Sequence, residues 1–346
     1  MIGLLAGMAA FATPPDAWGR AADGDVLVLR PVGTAFEGGF DNANDGDGRP
    51  FDRALEAALA GIENPPDFVL VFLSEGQPRL FPGAFAFNAT FNRTQSGTGR
   101  SDRSNERVPI RSGLYLNRTD AWFAMDPRRA TWIFNHEVGH YWLAKPRADL
   151  GDGRTDRLLG RGRSHWNYFL DTDGSPLEGN DWVDNGDGTF TTRLETGFGG
   201  FSDLDLYLMG LLAPEEVRPF FVIDPDDPEG RDRASPPDVD FDTTPTTVAG
   251  TRIEVSIDAV IAAEGPVTPA FGEAPTAFTA LTVLVAAPEE VLGDADFERI
   301  RDLTTRFFAS FGTATRERAS MSVQPPAPPL TPPPIDAPRW VPRGAR

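Results

Sequence analysis

Three histidines occur in this chain of 346 residues, and two of them stand four apart around a glutamate, in Asn135-His136-Glu137-Val138-Gly139-His140. Asp126 is a suitable helix N-cap, Pro127 suits the first helical position, and Pro146 is a stop signal. A helix from 127 to 145 puts His136 and His140 about one turn apart on one face, where two imidazoles can hold a single Zn²⁺ from the same side. Glu137 is rotated by roughly 100° from His136, so its carboxylate can face a water on the metal instead of ligating. A metal lowers the pKa of such a water to about 7, and a carboxylate beside it can act as general base.

A catalytic zinc needs a third protein ligand and one open position. His165, the remaining histidine, is the first choice because imidazole is a favoured zinc ligand. Asp205, in Ser202-Asp-Leu-Asp-Leu-Tyr-Leu-Met-Gly210, is the alternative. If Asp205 ligates, His165 is free to bind substrate or stabilise an oxyanion.

The His136-Glu137-Val138-Gly139-His140 segment resembles the active-site helix of the zincin metallopeptidases, and its Glu-Val-Gly core is similar to the metzincin side, including pappalysin-like enzymes. Metzincins continue to a Gly and a third His within the next six residues, whereas this chain reads Tyr141-Trp-Leu-Ala-Lys-Pro-Arg147. Four downstream segments resemble a group of secreted bacterial zincin-like proteins: Ser164-His165-Trp166, Asp171–Trp182, Asp184–Phe190 and Asp205–Gly210. The resemblance covers roughly residues 65–225 and implies a peptidase-type fold. It also implies that a carboxylate on a following helix, here Asp205, can complete such a site. On the same basis Met209 is a candidate for the methionine turn beneath the zinc, against ordinary core packing among Leu204, Leu206, Leu208 and Leu211. Tyr207 is a candidate oxyanion or substrate contact.

These residues need a scaffold. Val26–Leu29 and Phe68–Leu73 are short apolar runs bounded by Gly, Asp and Pro, as buried strands are, and Leu114–Leu116 reads as another. Between the first two, Leu55, Leu59 and Ile62 recur at helical spacing. Residues 146–200 are rich in Gly, Asp, Asn and Trp and read as a long functional loop region. Ile253–Ile257 and Phe278–Ala286 read as strands, and Asp294–Phe311 as a helix capped by Asp294. The expected organisation is a signal segment over 1–19, a catalytic domain over 20–223 and an Asp/Pro-rich connection over 224–250. A C-terminal subdomain over 251–323 and a proline-rich tail over 324–346 follow. The expected fold class is α+β and zincin-like: a mixed twisted sheet on the active-site helix, with the C-terminal α/β segment completing the cleft.

Composition narrows the function. With 32 basic and 51 acidic residues the formal charge is −19, which argues against nucleic-acid or anionic-membrane partners, since both need a basic footprint. The absence of cysteine excludes disulfides and thiolate chemistry. Of the basic residues 31 are Arg and one is Lys145, which reads as coding bias and not as a site. A short apolar start ending in Ala10-Phe11-Ala12 resembles the end of a secretory signal, although it lacks the basic residue that normally precedes one. No apolar run approaches the ~20 residues of a membrane span. Asp41, Asp45, Asp47 and Asp52 are spaced like oxygen donors of a calcium loop, but Ala43 and the final Asp52 depart from the EF-hand pattern.

These features predict an exported, monomeric zinc endopeptidase acting on protein or peptide substrates. Its zinc is held by His136, His140 and either His165 or Asp205, with Glu137 as general base and structural Ca²⁺ as a further candidate ion. The alternative is a secreted binding or adhesion module with a structural metal or an inactive peptidase fold. A structural site would be closed by four protein ligands.

Overall fold

A computed structural model of the chain describes residues 18–31, 50–78, 85–151, 153–194, 199–238 and 244–326. Most of the expected signal segment, the Asp41, Asp45 and Asp47 donors and the tail beyond 326 lie outside the described residues. Of Asp52 only the backbone is described, in helix α1 (Pro50–Leu59).

The principal sheet contains β1 (Trp18–Asp23), β2 (Val26–Pro31), β3 (Phe68–Leu73), β4 (Phe87–Thr90) and β5 (Ser112–Arg118). Two strands from the far end of the chain, β14 (Ala277–Val285) and β15 (Ser320–Val323), complete it. The spatial order is β1-β2-β14-β3-β5-β4, with β15 beside β14. β2, β14, β3 and β5 run parallel, while β1 and β4 are antiparallel edges. β3 and β14 are apolar on both faces because both faces are covered. On one face Val69, Val71, Val283 and Tyr115 pack with Ala54, Leu55 and Ala58 of α1. On the other, Phe68, Leu70, Phe72 and Leu114 pack with Phe134 and Val138 of α3 (Pro127–Gly139) and with Phe307 and Phe311 of α6 (Asp294–Ala314). Phe134 stacks on Phe307 at 4.5 Å between centroids, so the helix carrying the histidine motif is clamped between sheet and α6. A fully buried side chain of this size contributes about 2–3 kcal/mol.

The chain is therefore α+β with a mixed sheet. The segment expected as a separate C-terminal subdomain instead supplies the strand between β2 and β3, because Ala280–Val285 is apolar enough to be buried on both faces. The expected loop region of 146–200 is also different. It contains β6 (Ala148–Asp149), β7 (Arg154–Thr155), β8 (Trp166–Asp171), β9 (Glu178–Asn180), β10 (Trp182–Asp184) and β11 (Thr189–Thr192). The expected connection over 224–250 contributes to β12 (Phe220–Asp227) and β13 (Thr247–Val255). β8 to β13 form a second sheet in the order β10-β11-β13-β12-β8-β9, and β6 and β7 pair as a separate antiparallel ribbon. The strands of the second sheet are three to nine residues long with Gly and Asp in their turns, which hides their periodicity. Asp184-Asn-Gly-Asp-Gly188 is the β10–β11 turn, where Asp184 and Asp187 accept the backbone N–H groups of Gly186 and Thr189.

The described residues also hold three smaller α-helices, α2 (Thr119–Phe123), α4 (Asp203–Leu208) and α5 (Ile257–Glu264). The N-cap of α6 is Gly293, whose N–H is accepted by Asp296, and not Asp294. Among the described residues no helix is long and apolar enough to cross a membrane.

Candidate metal centre

Asp126 caps α3 as expected, accepting the N–H groups of Arg128 and Arg129. The helix ends at Gly139, with His140 as its C-cap, earlier than Pro146 implies. The chain turns there, and the N–H groups of Trp142 and Leu143 both bond Gly139 O. Gly139 is required by packing: a Cβ built on it would stand 2.3 Å from Leu177 Cδ2. Leu177 lies in the segment that also carries Pro176 and Glu178, so this close approach brings the β8–β9 connection onto the histidine helix.

His136, His140 and His165 come together, with ligand nitrogens all within 4.8 Å of one another. The Nε2 atoms of His136 and His140 are 3.0 Å apart, and those of His136 and His165 are 3.3 Å apart. His136 Nδ1 donates to Pro176 O at 2.7 Å and His165 Nδ1 to Arg161 O at 2.8 Å. A carbonyl only accepts, so both Nδ1 atoms carry the proton and both Nε2 lone pairs face inward. Two such lone pairs 3.3 Å apart have no hydrogen to share with each other, and a cation placed between them could be held by both. Nitrogens about 2.0–2.1 Å from one tetrahedral ion stand about 3.3–3.4 Å apart, close to the spacing seen.

The electrostatics keep the three imidazoles neutral, the form that can ligate a metal. Burial pushes His136 down to about 4 and His165 down to about 3, and holds His140 well below its ordinary value. Burial pushes Glu137 up to about 8, and its Oε2 is buried without a hydrogen-bond partner. The Glu137 backbone is fixed by Asn88 of β4, whose Nδ2 donates to Glu137 O at 2.8 Å.

Asp205 is not among the gathered ligands. It is fully buried, with Oδ1 accepting Trp166 Nε1 at 2.8 Å and Oδ2 accepting Ser202 N at 2.8 Å in the capping box of α4. Both oxygens are committed to holding α4 against β8, because Ser202 and Asp205 have capping-box spacing. Tyr207 is also turned away from the cleft, its hydroxyl accepting Val267 N at 3.1 Å. Met209 is the C-cap of α4 and lies in the core, and it does not line the cleft.

The three histidines and Glu137 line a cleft of about 930 Å³ whose rim includes Phe87–Thr90 of the edge strand β4. Two residues there carried no sequence signal. Arg161 NH2 lies 3.0 Å from His165 Nε2 and also forms an ion pair with Glu178. Glu178 is buried, has φ 76°, and has its second oxygen unpartnered. Lys145, read from composition as incidental, also lines the cleft. A second acidic group, Asp171, Asp173 and Asp181, has protein partners already: Asp171 accepts Trp182 N, Asp173 pairs with Arg218 and Asp181 with Arg193.

No family model, curated protein or solved structure matches the chain.

Proposed function

We propose that the chain is a zinc-dependent endopeptidase of zincin type. The observation that carries this reading is the convergence of three inward-facing histidine nitrogens with the unpartnered, buried carboxylate of Glu137 in one open cleft. Among the described residues three ligand side chains gather there and not four, which favours an open coordination position over a closed structural site.

His136, His140 and His165 would hold the ion, which would supply Lewis acidity and lower the pKa of water to about 7. Glu137 takes a proton from the attacking water and delivers it to the amine nitrogen of the departing product. Arg161, anchored by Glu178, brings a guanidinium to the histidine cluster, where positive charge offsets a developing oxyanion. Among the described residues β4 is the last strand of its sheet, so its outer edge offers backbone N–H and C=O groups to an extended peptide. Pro176 O and Arg161 O hold two of the histidine rings in the ligating tautomer.

The test is hydrolysis of an unstructured protein substrate by zinc-loaded protein. Glu137→Gln is expected to retain one zinc per chain and to lose hydrolysis, and chelation is expected to abolish cleavage by the parent. Stoichiometric zinc without cleavage in either protein would favour the secreted binding module. Cleavage by protein free of metal would refute the mechanism.

A further inference from the structure

Beside the histidines lies a pocket of about 390 Å³ that shares Thr90, Arg100, Arg103 and Lys145 with the main cleft. Its walls carry four cations, Arg93, Arg100, Arg103 and Lys145, against one carboxylate, Asp102. In a chain with 51 acidic and 32 basic residues such a cluster is the reverse of the average surface. Among the described residues none of the four cations takes part in a salt bridge. Arg93 is 5% exposed and its Nε is buried with no hydrogen-bond partner.

The cluster is built into the fold. The backbones of Arg93 and Arg103 pair in both directions, at 2.8 and 2.9 Å. Arg100 donates to the main-chain oxygen of His140. Gly99, at φ 70°, lies against the Lys145 backbone, where a Cβ would come within 2.4 Å of Lys145 O. Assembling like charges in a half-buried pocket is unfavourable, and burial with neighbouring cations lowers both Arg100 and Lys145 from their ordinary values. A structure that keeps such an arrangement next to a reaction centre is suited to an anion delivered by its ligand.

We infer that this pocket is a substrate subsite for a carboxylate, and that the substrate is an acidic peptide with an Asp or Glu side chain close to the scissile bond. The inference rests on the peptidase reading for the ligand being a peptide. Guanidinium groups take carboxylates bidentately, and Lys145 adds a point charge. A terminal carboxylate offers the same chemistry, and the test separates the two sources.

Three peptides of one sequence would be titrated by fluorescence anisotropy against zinc-loaded Glu137→Gln protein, so that binding is read without turnover. One carries Glu near its centre and an amidated end, one carries Gln and an amidated end, and one carries Gln and a free carboxyl end. The Glu peptide is expected to bind about tenfold or more tightly than the amidated Gln peptide, with the difference shrinking as salt is raised. The double variant Arg103→Gln/Lys145→Gln, made at one exposed and one half-buried side chain, is expected to erase that difference. Preference for the free carboxyl end alone would overturn the side-chain assignment, and equal or absent binding of all three would overturn the subsite. Selective binding of the Glu peptide with no cleavage of it by the zinc-loaded parent would leave the subsite standing and refute the peptidase reading.

Discussion

Glu137→Gln has a consequence for stability that is separate from its effect on hydrolysis. In the metal-free protein burial holds Glu137 at about 8, against about 4.5 for the exposed group. The folded chain therefore keeps this proton between those pH values while the unfolded chain releases it. The stability associated with it is fully present below pH 4.5 and is lost as pH rises towards 8. At 1.36 kcal/mol per unit, the loss between pH 4 and pH 7 is about 3 kcal/mol. Glutamine is isosteric and neutral throughout, so the variant escapes this loss. The buried histidines have the opposite slope. With folded values of about 4 and 3 for His136 and His165, they stay neutral in the folded chain, and stability falls as pH drops below 6.5. That effect is common to parent and variant and cancels in their difference. Urea unfolding of both proteins, stripped of metal, at several pH values from 4 to 8 measures the difference. The variant is expected to gain about 3 kcal/mol on the parent between pH 4 and pH 7. Parallel stability curves would show that Glu137 ionises freely in the folded state, and the reasoning from its burial would be refuted.

Other substitutions separate ligands from scaffold. His165→Ala is expected to weaken zinc binding by more than about 100-fold, since losing even an outer partner of a ligand typically costs 10–100-fold, and a competitive chelator titration reads this. Asp205→Asn leaves the three histidines in place, so zinc affinity is expected to stay near that of the parent. Its amide can replace one accepted hydrogen bond and not both, so stability is expected to fall by about 1–3 kcal/mol in denaturant unfolding. A zinc affinity reduced as far as by His165→Ala would return Asp205 to the ligand set.

The histidine helix was legible because its signals are local: Asp126 and Pro127 start it, and the four-residue spacing sets the shared face. The third histidine followed from scarcity, since few residues of the right type remained. Asp205 stood as the alternative because a capping-box carboxylate and a ligating carboxylate have the same sequence appearance, and what distinguishes them is Trp166, 39 residues away. Arg161, Glu178 and Lys145 were not legible as a set, because their proximity depends on the β8–β9 connection packing onto Gly139. Reading β14 as part of a separate subdomain had the same cause. A strand buried on both faces looks the same in sequence whether it lies at the centre of one sheet or another, and partners such as Val71 and Leu27 are more than 200 residues distant. The second sheet escaped notice because strands of three to nine residues between Gly and Asp turns leave little periodicity to read.

X-ray absorption at the zinc edge of the loaded protein, with His165→Ala alongside, reads the coordination sphere directly. The expected sphere is three imidazole nitrogens at about 2.0–2.1 Å and one oxygen from water, with one imidazole lost in the variant. Four protein ligands, or an unchanged sphere in His165→Ala, would contradict an open three-histidine centre.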